Sequence, residues 1–320
     1  MPYIIQRLVR KMCKKVDVVF SLKSPLHIGY MPFKGSVVSP TRYYVPGRNL
    51  WGALTKRITE FLNEKPEAEE YKEIGKRVRE IFRFSYLYLY HEKTVYFPRY
   101  THAGLIFGDN KKYLTKSEFE HKFIGSIVST EIDRVKKTAM NEKLHEIEFI
   151  HNMSKDENGE IRPVKLLGRI WVKEGKETED KKISLENTGI FIDDFNIIQE
   201  LILGGESKYG FGHVSLDSVN KAKFPESFLS KLEDEKDKEI ENNKPIPAHL
   251  KYSEHIKFYG NVELLSGRGY YDPKNDSKES NSSPGMIISK PEYYLSPGTV
   301  IEEEIRCKLN WDGTLEIKRN

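Results

Sequence analysis

Lys208, Tyr209 and His213 lie inside the run Leu203-Gly204-Gly205-Glu206-Ser207-Lys208-Tyr209-Gly210-Phe211-Gly212-His213-Val214. A cation, an aromatic ring and an imidazole share a short stretch whose backbone is freed by four glycines. Glycines in this number carry an entropic cost, so the run needs positive φ angles or a close approach that only glycine permits. Such a loop, carrying Lys208, Tyr209 and His213, can lie flat against a polyanion. The run is not a P-loop, which ends in Lys-Ser/Thr and leads from strand to helix. It is not a dinucleotide fingerprint either, because that also runs from strand to helix. The bland alternative is a helix C-cap followed by a tight turn.

The pattern around the run predicts the elements that position it. Asp193-Asp194-Phe195-Asn196-Ile197-Ile198-Gln199-Glu200-Leu201-Ile202 reads as a short helix, with Asp at its start and Ile197, Ile198, Leu201 and Ile202 as its apolar stripe. Gly204 then serves as the C′ residue, and residues 211–216 form a strand. Upstream, residues 16–22 alternate as a first strand and lead into Ser24-Pro25-Leu26-His27-Ile28-Gly29. Tyr43-Tyr44-Val45-Pro46-Gly47-Arg48-Asn49 precedes a helix over residues 50–64, with Leu50, Leu54 and Ile58 on one face and Asn49 as its N-cap. A second helix is expected over residues 67–81, and strands over 82–90, 93–100, 146–151 and 165–172. Residues 101–122 have no clear period. The segment 229–243 is charge-dense, and residues 274–284 have the composition of a disordered loop.

Composition bounds the class. The 320 residues can support one large or two modest domains. A formal net charge of +4 is mild, so a polyanion site must be a local patch. Cys13 and Cys307 are the only cysteines, which excludes a disulfide framework and a cysteine zinc site. The absence of a signal peptide and of a long apolar run predicts a cytoplasmic protein with no membrane partner. Only two glutamines, Gln6 and Gln199, beside abundant Lys, Glu and Ile point toward a thermophilic source.

Three blocks together carry a family resemblance. Gly204 to Val214 resembles the glycine-rich loop Gly-Gly-x-x-x-x-Gly-Phe-Gly-x-Val of the RAMP superfamily, the RNA-binding proteins of CRISPR systems. Ser24 to Gly29 followed by Tyr43 to Leu54 resembles that family's first strand, its loop and its first helix start. Arg48 and Asn49 replace the small hydroxyl residues usual there. Glu131-Ile132-Asp133-Arg134-Val135-Lys136-Lys137-Thr138-Ala139, with the strand after it, is similar to a segment of the backbone-type subunits. The resemblance covers residues 15–217.

The resemblance implies an α+β fold with a ferredoxin-like, RRM-type core, β-α-β-β-α-β, carrying insertions. Residues 1–217 would be the RNA-binding core with an inserted thumb region. Residues 218–320 would be a charged linker and a β-rich C-terminal extension. The RNA contacts implied are Gly47, Arg48, Asn49, Arg134, Lys136, Lys137, Gly204, Gly205, Lys208, Tyr209, Gly210, Phe211, Gly212 and His213. Partners would be guide RNA, target RNA and other CRISPR effector subunits, with no cofactor and no metal. Target-cutting relatives carry an aspartate in the loop after the first strand, whereas residues 30–42 here contain no carboxylate. The expected function is therefore a non-catalytic subunit of a type III effector complex. The alternatives are a guide-processing endoribonuclease using His27, and an RRM-like RNA-binding protein unconnected with CRISPR.

Overall fold

The structure is a computed structural model. It describes residues 13–30, 36–109, 111–130, 132–133, 138–139, 144–173, 177–178, 181–225, 238–267 and 289–318. No helix among these is long and apolar enough to cross a membrane.

The strand β1 (Cys13–Leu22) lies at the centre of an antiparallel sheet. It pairs on one side with Lys165–Lys173 and on the other with His213–Val219. Lys165–Lys173 in turn pairs with Phe82–Phe84 and Leu87–His91. Numbered along the chain, the principal strands therefore lie in the order fourth, first, third, second. Strand alternation sends successive side chains of β1 to opposite faces. Val16, Val18, Phe20 and Leu22 face a helical layer made by α1 (Gly47–Leu62) and α2 (Ala68–Ile81). Leu50, Leu54 and Ile58 of α1 and Ile74, Val78 and Ile81 of α2 fill the core there. The expected stripe on α1 is thus its buried face. Its start differs from the expectation. The helix begins at Gly47 with Pro46 as N-cap, and Asn49 lies within the first turn, its amide donating to the Pro46 carbonyl at 2.9 Å. The expected α2 is present, closed by a capping box between Glu67 and Glu70.

The helix expected over residues 193–203 does not form. That stretch is Phe195–Asn196 and Glu200–Ile202, both strands. Asp193, expected to start the helix, has φ of 52° and turns the chain between two strands. Leu201 and Leu203 are buried while Glu200 and Ile202 are exposed, a period of two rather than 3.6. Glu200–Ile202 pairs with the start of His213–Val219, so the glycine run joins two strands of one hairpin. Gly204 is consequently not a helix C′ residue. The second helix of the expected β-α-β-β-α-β succession is replaced by the Lys181–Glu186, Gly189–Ile192 and Phe195–Asn196 strands. A helix that periodicity did not suggest, α3 (Lys116–Phe123), buries Phe119 and Phe123 and is capped by Thr115 and Glu118.

The opposite face of the central sheet is covered by strands from the last third of the chain. Val19, Tyr44, Tyr86, Tyr88, Leu167 and Trp171 pack there against Leu250, Leu295, Ile301 and Leu315. Of the charge-dense 229–243 stretch, residues 229–237 lie outside the described residues, as does the whole of 274–284. Two buried polar clusters lie at the central sheet, and the second joins it to the C-terminal strands. Arg169 grips Asp17 with two hydrogen bonds of 2.6 and 3.0 Å, and Asp17 also accepts the Phe224 amide at 3.2 Å. In the second, Glu263 accepts from Arg42 and from His249 Nε2 at 2.5 Å, while the Tyr86 hydroxyl donates to His249 Nδ1 at 2.6 Å. Burial alone would raise the Glu263 pKa, but His249 and Arg42 outweigh it and hold the carboxyl down to about 2.

A folded pKa below the ordinary glutamate value means that Glu263 adds stability at neutral pH, which is lost as pH falls from about 5 toward about 2. Thermal unfolding across that range is expected to show a shallower pH dependence for Glu263→Gln than for the parent, starting from a lower stability at pH 7. Parallel curves for the two proteins would refute this role.

Candidate nucleic-acid interface

The segment after β1 is held on both sides by backbone hydrogen bonds. From one side, the Gly205 amide donates to the His27 carbonyl at 2.9 Å and the Gly212 amide to the Pro25 carbonyl at 2.8 Å. The His213 amide donates to Ser24 Oγ at 3.0 Å, and the Lys23 amide to the His213 carbonyl at 2.8 Å. From the other side, Leu26 and Ile150 exchange bonds of 3.0 and 2.8 Å, and His27 Nδ1 donates to the Glu148 carbonyl at 2.7 Å. The first block, the strand after the third block (His145–Ile150) and the glycine run therefore meet at one place. His27 is only 5% exposed within this clasp. Its ring is packed beside Gly29 and Gly205, with Nε2 3.5 Å from Ser39 Oγ.

Two glycines are required by this approach. Gly204 has φ of 79°, and a β carbon on it would lie 2.1 Å from the His27 carbonyl oxygen. Gly212 has φ of 81°, and its β carbon would lie 2.0 Å from the Leu203 carbonyl oxygen. Gly210, with φ of 83°, would meet nothing within 4 Å. Gly210 thus serves the turn, whereas Gly204 and Gly212 serve the contact.

What the run presents outward is narrower than the sequence suggested. The amides of Gly205, Tyr209, Gly210, Phe211 and Gly212 all donate to carbonyls of the chain itself. The side chains remain as the presenting groups. A single 3-10 turn, Ser207–Tyr209, holds Lys208 and Tyr209 at the apex, where Tyr209 is 75% exposed. His213 is part-exposed, with Nε2 3.7 Å from Glu200. Phe211 meets Phe149 edge-to-face at 5.5 Å, and Phe149 meets His151 at 5.2 Å. This aromatic strip beside the basic apex was missed in the sequence reading. Ile150 is fully buried, and strand alternation sends Phe149 to the opposite face of His145–Ile150, a choice the residue types alone do not mark.

The other expected contacts lie elsewhere. Gly47 is buried beneath the Asp312–Gly313 turn, where a β carbon would lie 2.7 Å from the Asp312 carbonyl oxygen. Arg48 stacks on Trp311 at 5.5 Å, and Arg79 lies over both Trp51 and Trp311, at 4.4 and 3.9 Å. The start of α1, Asn49 included, thus belongs to a region packed by the C-terminal strands, while its last turn stacks Phe61 on Phe195 at 4.1 Å. Arg134, Lys136 and Lys137 lie outside the described residues. They fall between Ile132–Asp133 and Thr138–Ala139, which pair as antiparallel strands.

No protein-family model matches the chain, and no curated protein matches it. Among solved structures, it is similar to a chain of the type III-B Cmr-beta assembly bound to cognate target RNA. The TM-score is 0.48 at 10% identity, covering 90% of this chain and 86% of that one. It is similar to a chain of the apo Cmr-beta assembly with a TM-score of 0.39 at 12% identity, covering 65% of this chain and 98% of that one. A third similarity is to a CRISPR protein from Archaeoglobus fulgidus, with a TM-score of 0.35 at 11% identity, covering 96% and 99%.

The clasp predicts a graded response to one methyl group. Gly204→Ala and Gly212→Ala each combine backbone strain of about 1–3 kcal/mol with a backbone collision. Gly210→Ala carries only its left-handed strain, about 1 kcal/mol. Denaturant midpoints should fall clearly further for the first two; equal losses at all three positions would contradict the close approach.

Proposed function

We propose that the chain is a non-catalytic, RAMP-type RNA-binding subunit of a type III CRISPR ribonucleoprotein, holding guide RNA by its backbone at the glycine-run apex. The observation that carries this reading is the clasp. Ser24–His27, the strand His145–Ile150 and the glycine run, far apart in the chain, meet there, with Phe211 against Phe149 next to the turn that carries Lys208 and Tyr209. Cations bind phosphate regardless of base, and aromatic rings stack on any base, so the combination suits a guide of arbitrary sequence. The reading does not rest on the likeness to solved structures, whose TM-scores are below 0.5. Under it, the four principal strands with α1 are a ferredoxin-like core whose second helix has been replaced by hairpins. The covered face of the sheet also supports binding at the loop end, because Tyr44, Tyr86 and Tyr88 are closed off by the C-terminal strands.

The absence of a carboxylate from residues 30–42 supports a holding role rather than target cleavage. The burial of His27, whose ring donates to a backbone carbonyl, weighs against guide processing by that residue. Guide and target RNA, neighbouring effector subunits and a cytoplasmic setting follow from the same proposal.

Titration of labelled single-stranded RNAs of several sequences tests it. Lys208→Ala should weaken all of them by a similar factor and reduce the salt slope by about one phosphate contact. Tyr209→Ala and Phe149→Ala should each remove about 1–3 kcal/mol of stacking with little change in that slope. Losses that depend on RNA sequence, or metal-independent cleavage at a fixed site, would overturn the reading.

A further inference from the structure

The turn between the strands Leu87–His91 and Thr94–Tyr96 is strained. Both of its residues, Glu92 and Lys93, are left-handed, with φ of 50° and 65°, where glycine or asparagine is usual. Such strain persists only where the surroundings hold it. Here the Glu92 carboxylate holds the turn. It accepts the Glu157 amide at 2.8 Å and lies 3.2 Å from Lys112 and 3.7 Å from Lys122. Lys112 also pairs with Glu157 at 2.6 Å. The turn thus ties α3, through Lys122, to the loop before Tyr113–Thr115 and to the turn after Met153–Lys155.

His91 lies beneath this junction. Its side chain is only 1% exposed, and Tyr96, the cross-strand partner of Leu89 on the same face, is fully buried. Phe123 of α3 covers both rings edge-to-face, at 5.8 Å from His91 and 5.0 Å from Tyr96. Among the described residues, neither ring nitrogen of His91 nor the Tyr96 hydroxyl has a hydrogen-bond partner. Buried polar atoms normally find one, so α3 sits on an unusually unsatisfied floor.

The charges around His91 decide what protonation does. Nδ1 lies 3.6 Å from the Glu92 carboxylate, beyond hydrogen-bond reach, and Ser154 faces the ring with backbone alone. Lys122 from α3 and Lys112 from the facing loop both oppose a positive imidazole, and Glu157 is taken up by Lys112. Burial first, then Lys122, push the His91 pKa below its ordinary value. Burial would raise the Glu92 pKa, but the Glu157 amide and Lys112 outweigh it, so Glu92 stays charged where histidine titrates. His91 is the member of this group that changes charge just below neutrality. An imidazolium has two N–H donors, and no acceptor is in place for either among the described residues.

α3 runs directly into Ile124–Ser129, the edge strand of a three-stranded sheet with His145–Ile150 and Val38–Ser39. The Phe123 carbonyl accepts the His151 amide at 2.8 Å, and Ile124 pairs with Ile150. Movement of the helix therefore reaches the strand that carries Phe149. We infer that His91 is an acid-sensitive seat for α3: when its ring takes up a proton, α3 lifts from the sheet and loosens Ile124–Ser129, while the pairings of β1 persist.

Hydrogen exchange of the full chain without RNA, read segment by segment at about pH 7.5 and about pH 5.5 and corrected for intrinsic rates, tests this. The opened form binds the proton more readily, so the seat is fully stable above about pH 6.5 and weakens below it. Exchange across residues 116–129 should quicken by up to about tenfold at the lower pH, one unit below the ordinary imidazole value, while β1 and α1 change far less. In His91→Phe, which keeps a ring that cannot be protonated, this acceleration should vanish. His91→Gln, polar and neutral, should lose it as well, and thermal unfolding at the higher pH confirms that the variants are folded. His121→Asn, which removes the exposed imidazole of α3, should behave as the parent. Acceleration retained in the His91 variants, an equal acceleration along the whole chain, or none in the parent would each overturn the inference. RNA is absent from every arm, so the outcome is independent of the RNA-binding proposal.

Discussion

The arrangement depends on how closely two stretches of backbone approach each other. Gly204 lies against the His27 carbonyl, and Gly212 lies under Leu203, at separations that leave no room for a β carbon. The segment Ser24–His27 is consequently held between the glycine hairpin and the Glu148–Ile150 strand by hydrogen bonds, with Leu26 buried in the core beneath. Backbone groups are the same whatever the side chains, so this contact constrains position strongly while leaving the exposed apex free to vary. Lys208 and Tyr209 can be presented outward because the amides beneath them are already satisfied.

The C-terminal strands constrain the molecule from the other side of the sheet. They meet it through an aromatic layer and through a buried ionic cluster, Arg42–Glu263–His249. Ionic groups so deeply buried add little net stability compared with apolar residues of the same shape, but removing one partner leaves an uncompensated charge. Their effect here is on registry: a shifted or loosely docked layer would strand Arg42 without its Glu263 partner. The same strands close the sheet surface and the start of α1, where the Asp312 carbonyl covers Gly47. What remains accessible is the loop end and the small three-stranded sheet beside it.

Much of the local structure was legible from pattern. The first strand, α1, α2 and the strands at residues 82–100, 145–150 and 165–173 follow from alternation or from apolar spacing, each of which reflects a single buried face. The stretch at 193–203 was not legible, because four apolar residues in six positions satisfy a helical stripe as readily as two short strands around a turn. Only the partner strand His213–Val219, together with the left-handed Asp193, selects the extended form. The helix at 116–123 was obscured for a related reason: it is short, and only Phe119 and Phe123 mark its buried side.

The amino-acid sequence by itself determined which residue types are on offer: the glycines that permit a close approach, the basic and aromatic side chains among them, and the absence of a carboxylate from residues 30–42. These are properties of residue type and order, readable without coordinates. Tertiary structure decided which of them work together. It brought Phe149 and His151 beside the glycine run, tied most of the loop amides into the chain, and drew Arg48 away toward Trp311. Such choices depend on contacts between residues far apart in the chain, where burial and hydrogen-bond satisfaction are settled jointly and no local pattern records the outcome.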